Sequence, residues 1–171
     1  VLRIWVPACS TGEEAYSIAM LITELQESKE TKIPVQIFAT DLSDQAIYDA
    51  RIGEYSKEEV KSISKKRLYQ FFTKTGDNYR ISKKLREMCV FAPQNILRDP
   101  PFSHIDLISC RNVFIYFDPA AQKKALTVIN FSLNDGGYLL LGKSETIGSS
   151  SHFFHHLSST KIATQPYSLL S

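Results

Sequence analysis

The sequence predicts an α/β fold built around a sheet of mainly parallel strands, and three observations lead to this prediction. Short runs of apolar, β-branched and aromatic residues recur along the chain, as expected for buried strands. Segments with apolar residues at helical spacing follow several of these runs. Small or polar residues stand where a strand would pass into a helix, which is the edge at which open α/β sheets bind ligands.

The segment Val1–Gln26 contains the first strand, turn and helix of this pattern. Arg3–Pro7 has the character of a central strand. Ala8–Gly12 holds only small residues, so a ligand can approach the backbone of this turn closely. The helix that follows is expected to bury one face, formed by Ala15, Ile18, Ala19, Ile22 and Leu25.

The chemistry of this turn is acidic rather than phosphate-binding. Gly12 is its single glycine, so the G-x-G-x-x-G dinucleotide pattern is absent. Glu13 and Glu14 place two negative charges in the first helical turn, where they would repel a pyrophosphate and attract a cation. S-adenosylmethionine, which has a sulfonium, an α-ammonium and no phosphate, fits such a site. The alternative is a capping box that pairs Ser10 or Thr11 with the glutamate three positions later.

A second strand, Val35–Thr40, follows a polar loop and ends on Asp41. An acidic residue at this position binds ribose in such folds, because a carboxylate can accept hydrogen bonds from both hydroxyls of a cis-diol. We expect the next helix to span Ser43–Arg51 and to end at Gly53. The alternative role for Asp41, or for Ser43, is only to cap that helix.

The segment Lys57–Glu87 differs from the rest of the chain because it is rich in lysine and aromatic residues. Two short runs, Tyr69–Lys74 and Tyr79–Ser82, flank a turn signal at Gly76-Asp77-Asn78. We therefore expect a small antiparallel insertion outside the main sheet. Its basic and aromatic side chains form either a solvated hairpin face or a docking surface for a partner.

A third strand, Val90–Pro93, leads to Asn95 and Ile96 at the same edge of the sheet. An asparagine can read an adenine edge through hydrogen bonds, and an isoleucine can cover the adenine face. The alternative for Asn95 is ordinary turn chemistry.

The remaining elements are predicted from strand runs, a helix N-cap and turn residues. They are a fourth strand at Ile105–Cys110, ended by Arg111 and Asn112; a helix capped by Asp118 with Pro119 at its first position; a turn at Asn134–Gly137; a strand at Tyr138–Leu141; a polar loop at Ser144–Ser151; and a final strand at Ile162–Leu169.

Composition limits the class of protein. The 171 residues suit one domain, and a net charge of +2 is too small to indicate nucleic-acid binding. No apolar run approaches the roughly 20 residues of a membrane-spanning helix and no secretory signal is recognisable, so we expect no direct membrane insertion. The odd number of cysteines, without metal-type spacing, indicates a reducing compartment, so we expect a cytoplasmic protein. Cys9, Cys89 and Cys110 are expected to be buried, reduced thiols, and no metal site is expected among the four histidines.

Three motifs of the chain resemble those of the chemotaxis receptor methyltransferase (CheR) family. They are Ser10-Thr11-Gly12-Glu13-Glu14, Ala39-Thr40-Asp41 and Cys110-Arg111-Asn112-Val113-Phe114-Ile115-Tyr116-Phe117. The resemblance implies a Rossmann-like fold of the S-adenosylmethionine-dependent methyltransferases with a small β insertion at Lys57–Glu87, which in some members binds a receptor tether. It also implies an enzyme that methylates glutamate side chains in the cytoplasmic domain of methyl-accepting chemotaxis receptors and releases S-adenosylhomocysteine.

The resemblance further implies roles for individual residues. The cofactor-binding residues are Glu13, with Glu14 as second choice, for the methionine portion, Asp41 for the ribose, Asn95 and Ile96 for the adenine side, and Arg111 and Asn112 for a further contact; Tyr116 is the catalytic residue beside the transferring methyl group. The whole of 1–171 is then a methyltransferase domain, and the N-terminal helical domain that the family normally carries is expected to be absent from it.

An alternative from a different class is a non-catalytic cofactor-sensing or receptor-docking module of a larger signalling protein. The start of the chain directly in a strand and the basic, aromatic insertion favour this alternative. The lack of a nucleophile–base pair does not oppose an enzyme, because a glutamate substrate with a pKa of about 4.3 is already ionised near neutral pH.

Overall fold

The computed structural model describes residues 1–157 and 162–164. The strands are β1 (Leu2–Pro7), β2 (Val35–Asp41), β3 (Glu54–Tyr55), β4 (Phe72–Thr75), β5 (Asn78–Ile81), β6 (Cys89–Pro93), β7 (Ile105–Cys110), β8 (Leu133–Leu141), β9 (His155–His156) and β10 (Ile162–Thr164). The α-helices are α1 (Glu13–Ser28), α2 (Asp44–Ile52), α3 (Lys65–Phe71), α4 (Lys83–Met88) and α5 (Pro119–Ser132), with 3₁₀ turns at Phe114–Tyr116 and Gly148–Phe153.

The main sheet has seven strands in the order β6-β2-β1-β7-β8-β10-β9. The strands from β6 to β8 are parallel, and β10 and β9 are antiparallel at one edge. The chain builds the sheet outward from β1 to β6 and then places β7 on the other side of β1, so the strand order reverses between β1 and β7. Ligands of open α/β sheets bind beyond the carboxyl ends of the strands at such a switch point. The predicted fold class is confirmed.

Each face of the main sheet has its own hydrophobic core. One core joins α1, α2 and the insertion to the face that carries Ile4 and Ile37. The other core joins α5 to the face that carries Trp5 and Ile108. All four side chains are completely buried. Successive residues of β1 thus enter opposite cores, as expected for a sheet covered by helices on both faces.

The insertion is a three-stranded antiparallel sheet in the order β3-β5-β4, with α3 and α4 beside it. The Arg67 guanidinium fixes it to α1 by donating two hydrogen bonds of 2.8 Å to the Glu24 carboxylate. The prediction of an antiparallel insertion is confirmed, but Tyr69–Lys74 is not one strand. Its first three residues belong to α3, because the Ser64 hydroxyl accepts a hydrogen bond from the Arg67 amide and caps a helix there.

The predicted buried face of α1 is only partly right. Ala15 and Ala19 are buried as expected, but Leu25 is 55% exposed, and Tyr16 and Met20 are buried instead. The buried stripe is rotated because α1 packs against the insertion, including α4, as well as against the main sheet.

The predicted turn at Asn134–Gly137 does not precede a separate strand, because these residues lie inside β8, where they interrupt its regular pairing with β7. The Asn134 side chain donates a hydrogen bond of 2.8 Å to Asp106 Oδ1 of β7. Ile105 pairs with Leu133 and Leu107 pairs with Tyr138, so residues 134–137 of β8 stand opposite Asp106 alone and form a bulge, in which Gly136 has a left-handed φ of 73°.

The last predicted strand, Ile162–Leu169, is observed as Ile162–Thr164, and residues 165–169 lie outside the described part of the chain.

Within the described residues, no helix combines the length and the apolar character that crossing a bilayer requires. No three His, Cys, Asp or Glu side chains of that same part are placed to share a metal ion.

The three cysteines are free thiols. Cys9 and Cys110 are buried, and Cys89 is half-buried. Burial raises the pKa of Cys9 and of Cys89 to about 12 and raises the pKa of Cys110 well above its usual value.

Candidate functional site

A cavity of about 270 Å³ opens at the carboxyl ends of β1, β2 and β6, beside the segment that follows β7. Its volume lies just below the roughly 300–1,000 Å³ typical of small-molecule sites. Its lining residues are Pro7, Ala8, Thr40, Asp41, Leu42, Gln94, Asn95, Ile96, Leu97, Val113, Tyr116 and Phe117. None of these described lining residues is basic, so the lining does not favour a phosphate. A larger cavity, of about 530 Å³, lies near the start of β2, between α1 and α4 and away from these motifs.

The loop between β1 and α1 forms one wall of the smaller cavity. Ala8 and Ser10 have φ of 54° and 50°, in the left-handed region that residues other than glycine rarely adopt. The Cys9 amide donates a hydrogen bond of 2.9 Å to the Thr40 carbonyl. The Ser10 amide donates one of 2.8 Å to Asp41 Oδ2. These contacts hold the strained backbone against the end of β2, a situation common at ligand sites.

The capping box considered for this turn is not present. The residue before α1 is Gly12, with φ of 94°, and no side chain caps the helix. A Cβ atom at Gly12 would lie 3.1 Å from the Ala50 Cβ and 3.2 Å from the Phe91 ring. The loop therefore needs glycine here, both for its conformation and for its close packing on α2 and β6.

Asp41, at the end of β2, connects the loop to the start of α2. Its Oδ2 accepts from the Ser10 amide, and its Oδ1 accepts a hydrogen bond of 2.9 Å from the Ser43 amide. The cap of α2 is Ser43, whose hydroxyl accepts from the Ala46 amide at 3.2 Å. Because a carboxylate has about four acceptor positions, Asp41 keeps capacity for a ligand in the cavity.

Asn95 and Ile96 follow β6 on the next side of the cavity. Asn95 Oδ1 accepts a hydrogen bond of 2.9 Å from the Leu97 amide, and the Asn95 amide donates to Asp99 Oδ2 at 2.6 Å. Asn95 therefore forms a local turn, as the alternative of ordinary turn chemistry predicts. Its side-chain NH₂ group is a hydrogen-bond donor. Ile96 is half-buried against the second core and supplies apolar surface to the cavity.

The two glutamates of the turn point in different directions. Glu14 is half-buried and accepts a hydrogen bond from the Ser109 hydroxyl of β7, at the switch point. Glu13 is exposed, accepts a hydrogen bond of 2.6 Å from the Thr11 hydroxyl, and lines a cavity beside Tyr55. Adjacent residues of an α-helix are about 100° apart around its axis, which accounts for the difference.

The surroundings of Glu14 raise the pKa of its carboxyl group. Burial raises the pKa of the Glu14 carboxyl, the Ser109 hydrogen bond and the charge of Arg111 lower it in part, and the Glu145 carboxylate raises it further. A cationic ligand group beside Glu14 would favour its ionised form.

The segment after β7 lines the cavity with Val113, Tyr116 and Phe117, whereas Arg111 and Asn112 are not among the lining residues. Arg111 and Asn112 are exposed, and Asn112 has φ of 58°. Tyr116, at the end of the 3₁₀ turn, lines the cavity and is 81% exposed. The structure thus brings Tyr116 to the same cavity as Asp41 and Asn95.

Glu145 is a buried polar residue that the sequence prediction missed. It lies in the predicted polar loop Ser144–Ser151, yet its side chain is only 3% exposed. Its carboxylate accepts hydrogen bonds from the amides of Asn112 (2.8 Å), Val113 (2.6 Å), Phe114 (2.8 Å) and Gly142 (2.7 Å). One signal for this contact is the small residue three positions before it, since a Cβ at Gly142 would lie 2.7 Å from Glu145 Oε2.

Residues 1–163 match the family described as "CheR methyltransferase, SAM binding domain". The chain belongs to the CheR methyltransferase family. The resemblance stated from the sequence motifs is confirmed, and S-adenosylmethionine is the cofactor of this CheR domain.

Several curated relatives carry names from chemotaxis. The chain is 39% identical over 150 residues to "Chemotaxis protein methyltransferase" of Vibrio parahaemolyticus, a match that covers 85% of this chain and 54% of the relative. It is 36% identical over 158 residues to "Chemotaxis protein methyltransferase Cher2" of Pseudomonas putida, covering 89% and 58%. An uncharacterized 104.1 kDa protein of Rhodobacter capsulatus is 41% identical over 146 residues, which cover 85% of this chain and 15% of that protein. The CheR chain therefore spans about half the length of the chemotaxis relatives.

Solved structures show the same fold at low sequence identity. The glycopeptide N-methyltransferase MtfA, complexed with sinefungin, aligns with a TM-score of 0.52 and 14% identity over 82% of this chain and 43% of its own. An O-methyltransferase of Brevibacillus brevis, in complex with S-adenosyl-L-homocysteine, gives 0.52 and 15% over 82% and 35%. These similarities support the methyltransferase fold of the CheR chain.

The described residues fit S-adenosylmethionine. The cavity offers a carboxylate, Asp41, with free acceptor capacity for ribose hydroxyls, and apolar side chains such as Ile96 and Phe117 for a planar base. Glu14 places a partly buried carboxylate at the switch point, where a cation is favoured.

Proposed function

We propose that the chain is the catalytic domain of an enzyme that methylates glutamate side-chain carboxylates in the cytoplasmic domain of chemotaxis receptors, forming methyl esters. The observation that carries this proposal is the CheR family match over residues 1–163, together with chemotaxis methyltransferases 36–39% identical to the chain. The position of the cavity at the switch point of the sheet supports it independently.

We assign the cofactor contacts by position. Asp41 binds the ribose hydroxyls, and Asn95 and Ile96 contact the adenine. Glu14 holds the α-ammonium, because it lies at the switch point with Ser109, whereas Glu13 faces the insertion. This assignment reverses the order of preference that the resemblance implied.

Arg111 and Asn112 are candidates for a further cofactor contact, since they follow β7 directly and precede Val113, which lines the cavity. When bound, S-adenosylmethionine supplies a methyl group activated by its sulfonium. The substrate carboxylate needs no general base, because its pKa of about 4.3 leaves it ionised at neutral pH. Catalysis then depends on alignment and on the exclusion of water around opposite charges. Tyr116 lies at the cavity with most of its side chain exposed, so it can contact both bound cofactor and an approaching carboxylate.

The insertion is the proposed docking surface for the receptor. It carries the exposed side chains of Lys65, Lys66 and Tyr69 on α3, and its position is fixed by the Arg67–Glu24 contact.

The direct test is transfer of a radioactive methyl group from S-adenosylmethionine to receptor preparations by the full-length protein. We expect base-labile label on the receptor, and replacement of the modified glutamates by glutamine should reduce it. Full-length protein that binds S-adenosylhomocysteine but gives no receptor label would overturn the catalytic proposal.

A second candidate is a non-catalytic cofactor-sensing or docking module. The specific observation in its favour is the 104.1 kDa relative, of which the matched region is 15%. A sensing module would bind S-adenosylhomocysteine and S-adenosylmethionine without turnover, so the same labelling experiment separates the two candidates.

A further inference from the structure

The carboxylate of Glu145 accepts four backbone hydrogen bonds, three of them from the segment after β7 that lines the cavity. Its Oε1 accepts from the amides of Val113 and Phe114, and its Oε2 accepts from those of Asn112 and Gly142. Three of these donors are consecutive residues of the segment after β7. A buried carboxylate is costly unless its oxygens are hydrogen-bonded, and these four amide donors satisfy it.

The three amides would otherwise be unpaired at the start of the 3₁₀ turn. Asn112 has a left-handed backbone, with φ of 58°, which lets the amides that follow converge on one anion. The turn then continues with the Tyr116 amide donating to the Val113 carbonyl at 3.1 Å. The contact at Glu145 is therefore connected to Tyr116 through one short turn.

Close packing prevents the carboxylate from moving aside. A Cβ at Gly142 would lie 2.7 Å from both Asn112 Oδ1 and Glu145 Oε2, so the end of β8 and the segment after β7 meet with no space between them. Gln122 of α5 also holds the segment after β7, because its side-chain amide donates hydrogen bonds to the Phe114 carbonyl (3.0 Å) and the Phe117 carbonyl (3.1 Å).

We propose that Glu145 is a positioning residue that holds the segment Arg111–Tyr116 in the conformation needed for methyl transfer. This proposal rests on the proposed function for its catalytic consequence. Glu145 does not line the cavity, and it acts through the backbone of residues 112–114, which places Tyr116 at the cavity wall.

The test replaces the carboxylate by an amide of the same shape in Glu145→Gln. The new NH₂ group must face at least one backbone N–H that the carboxylate accepted, so those bonds are lost. We expect hydrogen exchange at the amides of residues 112–114 to accelerate about tenfold or more. We expect the kcat of methyl transfer to fall by about tenfold, with a smaller change in KM for S-adenosylmethionine.

Two comparisons separate positioning from general destabilisation. Ile37→Val, in the core on the other face of the sheet, lowers stability in a cluster that contains none of residues 111–117, and it should leave kcat within about twofold of the wild type. In a Tyr116→Phe background, Glu145→Gln should lower kcat by less than about twofold, because both changes act on the same contact. If Glu145→Gln fails to fold, Glu145→Asp, which keeps the charge but is too short to reach all four amides, is measured in its place.

Unchanged exchange at residues 112–114, or an equal loss of kcat in the two Tyr116 backgrounds, would overturn the role of Glu145. Should the wild type show no methyl transfer, the proposed function fails, and the exchange rates together with S-adenosylhomocysteine affinity still decide whether Glu145 shapes the site.

Discussion

Asp41→Ala is the sharpest test of the cofactor site. The substitution removes an acceptor that holds the Ser10 amide at 2.8 Å and the Ser43 amide at 2.9 Å, and it removes the proposed ribose contact. Two hydroxyl–carboxylate hydrogen bonds contribute about 1.5–3 kcal/mol each, or about 3–6 kcal/mol together. Since Asp41 is only half-buried, the lower end applies, and a loss of about 3 kcal/mol corresponds to about 150-fold weaker binding.

The measurement is titration calorimetry with S-adenosylhomocysteine on the full-length protein. Asp44→Ala is the matched control, because Asp44 is an exposed carboxylate in the first turn of α2 and lies outside the cavity lining. Circular dichroism and a thermal melt check that both variants fold. An affinity for Asp41→Ala within threefold of the wild type would refute the ribose assignment and the reasoning from the edge of the sheet.

Three further outcomes are expected. Because burial raises the pKa of Glu14 above 4.5, S-adenosylhomocysteine should bind more weakly as the pH falls through that raised pKa, and Glu14→Gln should remove most of this dependence; calorimetry between pH 7 and pH 5 compares the two. Tyr116→Phe should lower kcat by about 10- to 100-fold with little effect on folding, which receptor methylation kinetics will show, whereas an unchanged kcat contradicts a role in alignment. Gly142→Ala should destabilise the protein by about 1–3 kcal/mol, because its Cβ would lie 2.7 Å from Asn112 Oδ1, and denaturant unfolding measures the loss.

The parts of the site that the sequence predicts well depend on strand ends. Asp41 follows a strongly apolar run that predicts a strand. Because parallel strands bring their carboxyl ends to one edge of the sheet, the order of the strands along the chain is enough to predict that Asp41 lies close to the Ala8–Gly12 loop. Asn95 is placed by the same argument after β6.

The parts that the sequence does not predict depend on contacts between distant residues. Glu145 lies in a segment whose composition indicates a solvated loop, and its burial arises only when β7 and β8 pair and bring residues 112–114 beside it. Likewise, the choice between Glu13 and Glu14 depends on the rotation of α1, which is fixed by packing against the insertion rather than by local sequence. The residues Asn134–Gly137 form a bulge inside β8 rather than a turn before it, and the Asn134 side chain there donates a hydrogen bond to Asp106 of β7.

Because the thiols are buried, their rates of alkylation report local opening of the protein around each of them. Cys9 and Cys89, with pKa values of about 12, and the completely enclosed Cys110 hold almost no thiolate at neutral pH, so alkylating reagents should modify the native state slowly. Since Cys9 belongs to the strained loop beside Asp41, its labelling rate reports the opening of that loop, whereas Cys110, the completely buried last residue of β7, reports the opening of the segment that follows β7. Mass spectra taken over a labelling time course can therefore compare the opening of these two sides of the site without any introduced probe.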